Sequence, residues 1–333
     1  MRRVLLTQAL CLGASACVAF DRQSALDPAG PQSASIYRLG VGMVVVAALV
    51  YVVVVAVLLA IVRRRTPPED VRSPAREARA RRTIVISVGA TVAILFVLLV
   101  FDLGVARALM HDDARPAVAI TLTGRQWWWD VEYEDSIPQN RVRDANEIHV
   151  PVGQPVRIKL VSHDVIHSFW VPNIAGKKDL IPGHEDEIRL RVDRAGVYRG
   201  QCAEFCGIEH AKMALLVVAQ PPGEFAAWLA HQRAAAAPPS DSLAARGRFV
   251  FESAPCATCH TVAGTAAAGR VGPDLSHIGS RRTLAAGTRA NTRGNLAGWI
   301  VDPQTLKPGA QMPAHPLAPA DLRALVAYLE SLR

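Results

Sequence analysis

The residues with the clearest chemistry lie in one short segment, QCAEFCGIEHAKM, where soft metal-binding side chains are closely spaced. Cys202 and Cys206 are followed by His210 and Met213, and His167 lies upstream in the segment DVIHSFW. Two thiolates, two imidazoles and a thioether together favour copper over hard cations. One cysteine with its neighbours would suit a mononuclear blue-copper site, whereas two thiolates in one loop can bridge two metals. An oxidising compartment would also allow a structural disulfide, but a disulfide leaves both histidines and the methionine unexplained.

The spacing of these residues resembles the copper A loop of cytochrome c oxidase subunit II. The shared pattern is C-x-E-x-C-G-x-x-H-x-x-M, preceded by D-V-x-H-S-F-W, and the resemblance extends over roughly residues 24–230. It implies a ligand set for two coppers, namely bridging Cys202 and Cys206, capping His167 and His210, and weakly bound Met213 and the backbone carbonyl of Glu204. It also implies that the side chain of Glu204 reaches a magnesium ion shared with subunit I.

A second cofactor motif, Cys256-Ala-Thr-Cys259-His260, has the C-x-x-C-H spacing of covalent haem attachment. Two thiols add across the two vinyl groups of one haem, and the adjacent histidine reaches the iron. A zinc or redox site is the alternative for a C-x-x-C motif. The histidine that follows and the lack of a second cysteine pair nearby argue against both, so the sequence predicts a c-type haem.

The sixth haem ligand follows by elimination. Met312 is the only methionine between residues 240 and 333, and His277 and His315 are its rivals. Ligation by methionine and histidine raises the potential of a haem, which suits donation of electrons to copper. The segments VGPDLSHIG and GAQMPAHP also resemble the haem-crevice and methionine loops of small cytochromes c, so we predict Met312.

The first residues have the pattern of a secretory signal, with two arginines, an apolar stretch and then small residues. Cleavage after Ala16 would fit either a small-x-small site or a variant lipoprotein site that leaves Cys17 lipidated. An uncleaved N-terminus is the alternative.

Two uncharged runs, 39–62 and 83–101, are each about as long as the ~20 helical residues that a bilayer requires. The loop between them, 63–82, carries eight arginines and three acidic residues. Positively charged loops stay in the cytoplasm, so both ends of the mature chain are expected on the outer side of a bacterial cell membrane.

From about residue 115 the sequence changes to short runs rich in Val, Ile, Leu and aromatic residues, separated by Gly, Pro and Asn. Such runs predict a small β-sandwich or barrel, which matches the cupredoxin fold that the resemblance implies. The predicted fold class is therefore multidomain, with a two-helix transmembrane hairpin, an all-β cupredoxin-like domain and an all-α cytochrome c domain. The predicted boundaries are a signal peptide (1–16), a periplasmic segment (17–38), two transmembrane helices (39–62 and 83–103) around a cytoplasmic loop (63–82), a copper A domain (112–230), a linker (231–239) and a cytochrome c domain (240–333).

Three adjacent tryptophans, Trp127, Trp128 and Trp129, stand out in the β region. Side chains alternate faces along a strand, so the first and third would share one face. A core combined with a belt at the membrane interface would explain them without further chemistry. The segment G-x-Q-W-x-W also resembles the electron-entry side of the family, which implies that Trp127 is the entry residue.

The resemblance implies subunit II of a respiratory haem–copper oxidase of the caa3 type. Electrons would enter through haem c, pass to copper A and continue to subunit I, where oxygen is reduced and protons are pumped. The implied partners are subunits I and III, membrane lipid, and cytochrome c or a quinol–cytochrome c reductase as donor. No basic stripe with interleaved aromatic residues indicates nucleic acid.

Other functions would produce a similar chain. A nitric oxide reductase that takes electrons through copper A could share the soluble half, and a membrane-tethered electron carrier would need no catalytic partner. A quinol oxidase subunit would have lost the copper ligands, which are all present here.

Residues 234–333 carry ten basic and six acidic residues, whereas residues 112–233 carry fourteen basic and seventeen acidic residues. We therefore expect the two soluble domains, with net charges of +4 and −3, to attract each other.

Overall fold

The computed structural model describes residues 23–63, 74–110 and 115–333. The predicted signal peptide, Cys17 and residues 64–73 of the basic loop lie outside the described residues. Two helices, α1 (Pro31–Arg63) and α2 (Pro74–Met110), contain the uncharged runs and extend beyond them at both ends. Both are long and apolar enough to cross a membrane, and large side chains such as Val44 and Phe96 are exposed along them. A helix satisfies its own backbone, so this exposure suits hydrocarbon.

The middle of the chain forms a β-sandwich of two five-stranded sheets, as the alternating runs predict. The strands are β1 (Val118–Arg125), β2 (Trp128–Tyr133), β3 (Val142–Ala145), β4 (Glu147–Pro151), β5 (Pro155–Ser162), β6 (His167–Trp170), β7 (Lys178–Leu180), β8 (Asp186–Arg191), β9 (Gly196–Cys202) and β10 (Ala214–Gln220). Their order is β3-β2-β1-β5-β8 in one sheet and β4-β10-β9-β6-β7 in the other. The pairs β1–β5 and β4–β10 are parallel, and the other pairs are antiparallel.

The core of the sandwich lies between the two sheets. In β5 every second residue is buried, so Val156, Ile158 and Leu160 point inwards while their neighbours are partly exposed. The segment before α1 also joins this body, because Ala29 is buried and its backbone bonds to Asn173 and Asp193. Helix α3 (Pro222–Gln232) follows β10 and packs Phe225 against the core.

The C-terminal domain is helical apart from a two-stranded ribbon, β11 (Thr283–Leu284) and β12 (Arg289–Ala290). Its helices are α4 (Ser242–Ser253), α5 (Cys256–Cys259), α6 (Arg293–Val301), α7 (Pro303–Leu306) and α8 (Pro319–Ser331). The Asp241 side chain caps α4 by accepting a hydrogen bond from the amide of Ala244. The last helix of this domain packs against the first one, since Phe251 of α4 meets Tyr328 of α8 with ring centroids 6.1 Å apart.

Gly247 sets the distance between α4 and α8. A Cβ atom at this position would lie 2.0 Å from the backbone oxygen of Ala324, and backbone cannot move aside cheaply. Only glycine therefore permits this helix crossing.

We expect Gly247→Ala to destabilise the C-terminal domain by about 1–3 kcal/mol, because the added methyl group overpacks the crossing. Gly298→Ala in α6 is the matched control, since a Cβ atom there meets nothing within 4 Å. Thermal unfolding of the full chain in detergent, followed by the absorption of its haem, measures the difference. Equal unfolding temperatures for the two variants would contradict the proposed role of Gly247.

Candidate copper and haem centres

The copper-type side chains lie at one end of the β-sandwich, where two neighbouring strands meet. Cys202 ends β9 and His167 begins β6, and the pairing of Phe169 with Cys202 fixes these strands side by side. The loop from β9 to β10 then carries Cys206 and His210 back across the same end. Strand register thus brings His167 to residues more than thirty positions away in sequence.

The two cysteines face each other without forming a disulfide. Their Sγ atoms are 3.7 Å apart, whereas a disulfide bond is about 2.05 Å long, and both cysteines are free and buried. Each has one imidazole beside it. Nδ1 of His167 lies 3.9 Å from Cys202 Sγ, and Nδ1 of His210 lies 3.6 Å from Cys206 Sγ.

Two further donors complete the cluster. The Sδ atom of Met213 lies 3.8 Å from Cys206 Sγ, and the backbone oxygen of Glu204 lies 3.2 Å from Cys202 Sγ. Met213 is fully buried. Every residue predicted as a copper ligand therefore lies in one cluster, and its soft donors fit two thiolate-bridged coppers.

The electrostatics of the cluster favour one thiolate. Hydrogen bonds from Cys206 and His167 lower the pKa of Cys202 to about 3. The pKa of Cys206 is raised, because its hydrogen bond to the charged Cys202 and its own burial both favour the neutral thiol. Copper binding needs both thiolates, so it must displace the remaining proton.

Asp164 orients His167 and was not recognised from the sequence. Its Oδ1 atom lies 2.8 Å from His167 Nε2, and its Oδ2 atom accepts a hydrogen bond from the backbone of Gln126. Burial alone would lower the pKa of His167, but hydrogen bonds with Cys202 and Asp164 outweigh it and raise that pKa. With Nε2 occupied by Asp164, Nδ1 faces the thiol. An acidic residue three positions before the histidine was the available signal.

Trp127 lies directly beside the copper cluster. Its indole Nε1–H donates a hydrogen bond of 2.9 Å to the backbone oxygen of Cys206, and the Gln126 side chain donates to the same oxygen. Strand β2 begins only at Trp128, so Trp127 belongs to the preceding turn. The alternation argument therefore applies to Trp128 and the buried Trp129, and the turn decides where Trp127 points.

The haem motif lines a pocket in the C-terminal domain. Cys256, Cys259 and His260 share it with Met312 and His315. Large apolar side chains form much of its wall, namely Phe251, Leu296, Trp299, Ile300, Leu325 and Leu329. Such a pocket suits the flat apolar face of a porphyrin.

His260 is oriented for metal binding. Its Nδ1 atom lies 2.8 Å from the backbone oxygen of Pro273, which leaves Nε2 as the free nitrogen. Burial lowers the pKa of His260, so the imidazole is neutral. A Cβ atom on Gly272 would lie 2.5 Å from the ring, so only glycine lets the chain approach it. These features fit a c-type haem.

The rival ligands of Met312 differ in position. Both ring nitrogens of His277 face backbone oxygens, those of Arg333 and Ala234, at 3.1 and 3.3 Å. His315 lines the same pocket as Met312, so position alone does not separate these two. The chemical preference for a thioether in an electron-transfer haem still favours Met312.

The Glu204 carboxylate forms an ion pair with a lysine. It is partly exposed and lies 3.3 Å from the ammonium of Lys177, which also contacts Asp179. A magnesium ion at this carboxylate would have to displace that lysine.

Two family models match the chain. One, described as the periplasmic domain of cytochrome c oxidase subunit II, matches residues 138–220, and the other, described as cytochrome c, matches residues 244–333. Cytochrome c oxidase subunit 2 of Alkalihalophilus pseudofirmus is 36% identical over 333 residues, covering 97% of this chain and 95% of that relative. The chain belongs to the cytochrome c oxidase subunit II family.

Other relatives match parts of subunit II. The Bacillus subtilis protein is 32% identical over 231 residues, covering 66% of this chain and 64% of that protein. The crystal structure of the periplasmic domain of subunit II from Bradyrhizobium japonicum is 30% identical with a TM-score of 0.34, and it covers 36% of this chain and 96% of that one. The prediction of a subunit II with a fused cytochrome c domain is confirmed, and its two soluble domains imply copper A and haem c.

We expect Asp164→Asn to lower the affinity for copper about 10- to 100-fold, because the partner that orients His167 is weakened. The matched control is Asp186→Asn, which changes a partly exposed carboxylate paired with Lys178. Titration of the apo chain with Cu(I) against a competing chelator measures the affinity. Unchanged affinity in Asp164→Asn would show that the carboxylate does not support the site.

Proposed function

We propose that this chain is the electron-entry subunit of a haem–copper oxidase and carries both centres of the entry path itself. Cys202 and Cys206 hold two coppers between them, with His167 and His210 capping and Met213 and the Glu204 carbonyl as weak ligands. Cys256 and Cys259 attach the haem, and His260 and Met312 bind its iron. When bound, the copper pair and the haem would each supply one-electron transfer.

The observation that carries this proposal is the pairing of one imidazole with each of two facing thiols in a buried cluster. A single-copper site of the blue-copper type would use both imidazoles but only one thiol, so it would leave the second thiol without a role. The C-x-x-C-H motif in the same body places a donor centre in the same chain. Neither a nitric oxide reductase nor a partner-free carrier is favoured by the relatives of the chain, which are named as oxidase subunits.

We also propose the surroundings of this subunit. The two apolar helices anchor it in a bacterial cell membrane, with the soluble domains on the outer side. In support, the segment before α1 packs on the β-sandwich that follows α2, so the chain enters and leaves the hairpin from one body. The partners are subunits I and III and a cytochrome c or quinol–cytochrome c reductase, with a magnesium ion at Glu204 against subunit I. Trp127 receives the electron on its way to copper.

The test of this function is the electron paramagnetic resonance spectrum of the oxidised full chain in detergent. We expect hyperfine structure from one unpaired electron shared by two equivalent coppers, together with a low-spin haem signal. Cys206→Ser should remove the shared pattern, because one bridging thiolate is lost. A pattern from a single copper in the unaltered chain would refute the copper A assignment.

The sixth haem ligand is tested separately. We expect Met312→Leu to retain the covalently attached haem but to lower its midpoint potential, because the thioether that favours ferrous iron is lost. His315→Leu is the control and should leave the potential near that of the unaltered chain. Redox titration of the haem absorption decides, and a large change of potential only in His315→Leu would assign the ligand to His315.

A further inference from the structure

The two soluble domains meet in a contact that neither cofactor motif explains. Lys307 of the C-terminal domain is only 3% exposed, and its ammonium lies against the β-sandwich. It donates to the backbone oxygens of Trp127 at 2.6 Å, Lys212 at 2.8 Å and Ala285 at 3.3 Å. An ammonium has three hydrogens, so these three oxygens use all of them.

The position of this lysine is unusual for a buried charge. In the described part of the chain Lys307 forms no ion pair, although burying an unpaired charge is costly. Burial lowers the pKa of Lys307 to about 7. The three hydrogen bonds of Lys307 explain why this side chain is buried in spite of the cost. Two of the acceptor oxygens belong to the β-sandwich and one belongs to the C-terminal domain.

The segment that carries Lys307 continues to the predicted haem ligand. Gln304 braces it, because its side chain accepts from the amide of Gly309 and donates to the backbone oxygens of Ala310 and Met312. Holding Lys307 therefore also holds the backbone on either side of Gly309.

Trp127 is enclosed by a glycine from each cofactor segment. A Cβ atom on Gly207, in the copper loop, would lie 3.0 Å from the indole, and one on Gly309 would lie 3.5 Å from the six-membered ring of the same indole. Both glycines have positive φ angles, 118° and 84°, which other residues rarely adopt. The indole thus lies close to Gly309, in the segment that leads to Met312, while its Nε1–H donates to the backbone oxygen of Cys206.

The same pocket that holds the haem motif is lined by Trp127 as well as by Lys307. The haem site, the indole and the copper loop therefore follow one another without an intervening layer of protein. Other bonds also cross the boundary between the domains, including the buried pair of Arg281 with Asp144 at 2.7 Å, the amide of Ala214 on the oxygen of Ala286, and the ammonium of Lys212 on the oxygen of Leu306 at 3.0 Å.

We propose that Lys307 is the positioning residue that holds the Met312 segment against Trp127, so that the fused cytochrome domain delivers electrons through one fixed contact. This inference rests on the proposed function. The contact serves a transfer of one electron in which ferrous haem is oxidised to ferric haem, the copper pair is reduced by one electron, and no bond or proton changes place. A fixed contact also replaces repeated encounters with a constant donor.

The test is Lys307→Glu in the full chain in detergent. A carboxylate cannot donate to the three oxygens and would be repelled by them, so the segment should leave Trp127. Lys159→Glu makes the same change of charge at a partly exposed lysine that pairs with Glu185 and is far from this contact in sequence.

Two measurements are compared between these variants. Hydrogen exchange at the amides of Ala214, Arg282 and Thr283, which bond across the domain boundary, reports the contact without needing either cofactor. We expect exchange to accelerate about 10- to 100-fold in Lys307→Glu only, as when a charged hydrogen-bond donor is lost. After flash reduction of the haem, transfer to copper should also slow in Lys307→Glu only, because the segment no longer lies against Trp127. The spectra of the haem and of the copper should not change.

Unchanged exchange in Lys307→Glu would overturn the proposal, since the lysine would then not hold the contact. Faster exchange with an unchanged transfer rate would also overturn it, because electrons would not need the contact. Failure of the proposed function is recognised separately, because the unaltered chain would then lack the shared copper signal or the low-spin haem signal.

Discussion

The pairing of β6 with β9 is the constraint on which the copper cluster depends. Backbone hydrogen bonds between these strands place His167 and Cys202 on adjacent strands at the end of the sheet. The apolar faces of the two sheets hold the pair rigidly, because close-packed interiors leave little room for side chains to move. The loop to β10 then needs only a short path to return Cys206, His210 and Met213 to the same place. A ligand frame fixed in this way changes little when an electron arrives or leaves.

Polar contacts around both centres fix the orientation of the ligands. Asp164 occupies one nitrogen of His167, and the Pro273 carbonyl occupies one nitrogen of His260. The remaining nitrogen of His167 is thus left for copper and that of His260 for the haem iron, so neither imidazole needs to rearrange to bind its metal. In the segment that follows Trp127, the carboxylates of Glu132, Glu134 and Asp135 are each paired with an arginine.

The boundary between the soluble domains combines two kinds of interaction. Arg281 and Asp144 form an ion pair whose side chains are less than a tenth exposed, and the buried carboxylate of Glu147 accepts the amides of Arg282 and Thr283. Removing one partner of such a buried pair costs about 3–5 kcal/mol, because the other charge stays desolvated. These contacts are directional, so they specify one arrangement of the domains. The ion pair of Arg281 with Asp144 is one attractive contact between the two oppositely charged soluble domains. Attraction between the net charges of the domains at long range stays a prediction.

The sequence by itself determined the chemistry and the order of the parts. The spacings within C-x-x-C-H and within the copper loop are local. The uncharged runs have the length that a membrane-spanning helix needs, and alternating apolar residues predict strands. Each of these features could therefore be recognised from neighbouring positions in the sequence. The tertiary structure alone decided which residues surround these motifs. Lys307 donates to the carbonyl of Trp127 across 180 positions, and a Cβ atom on Gly309 would lie 3.5 Å from the same indole. No local pattern predicts such contacts, because they depend on how two separately folded domains pack, and burial and hydrogen bonding between distant segments set that packing.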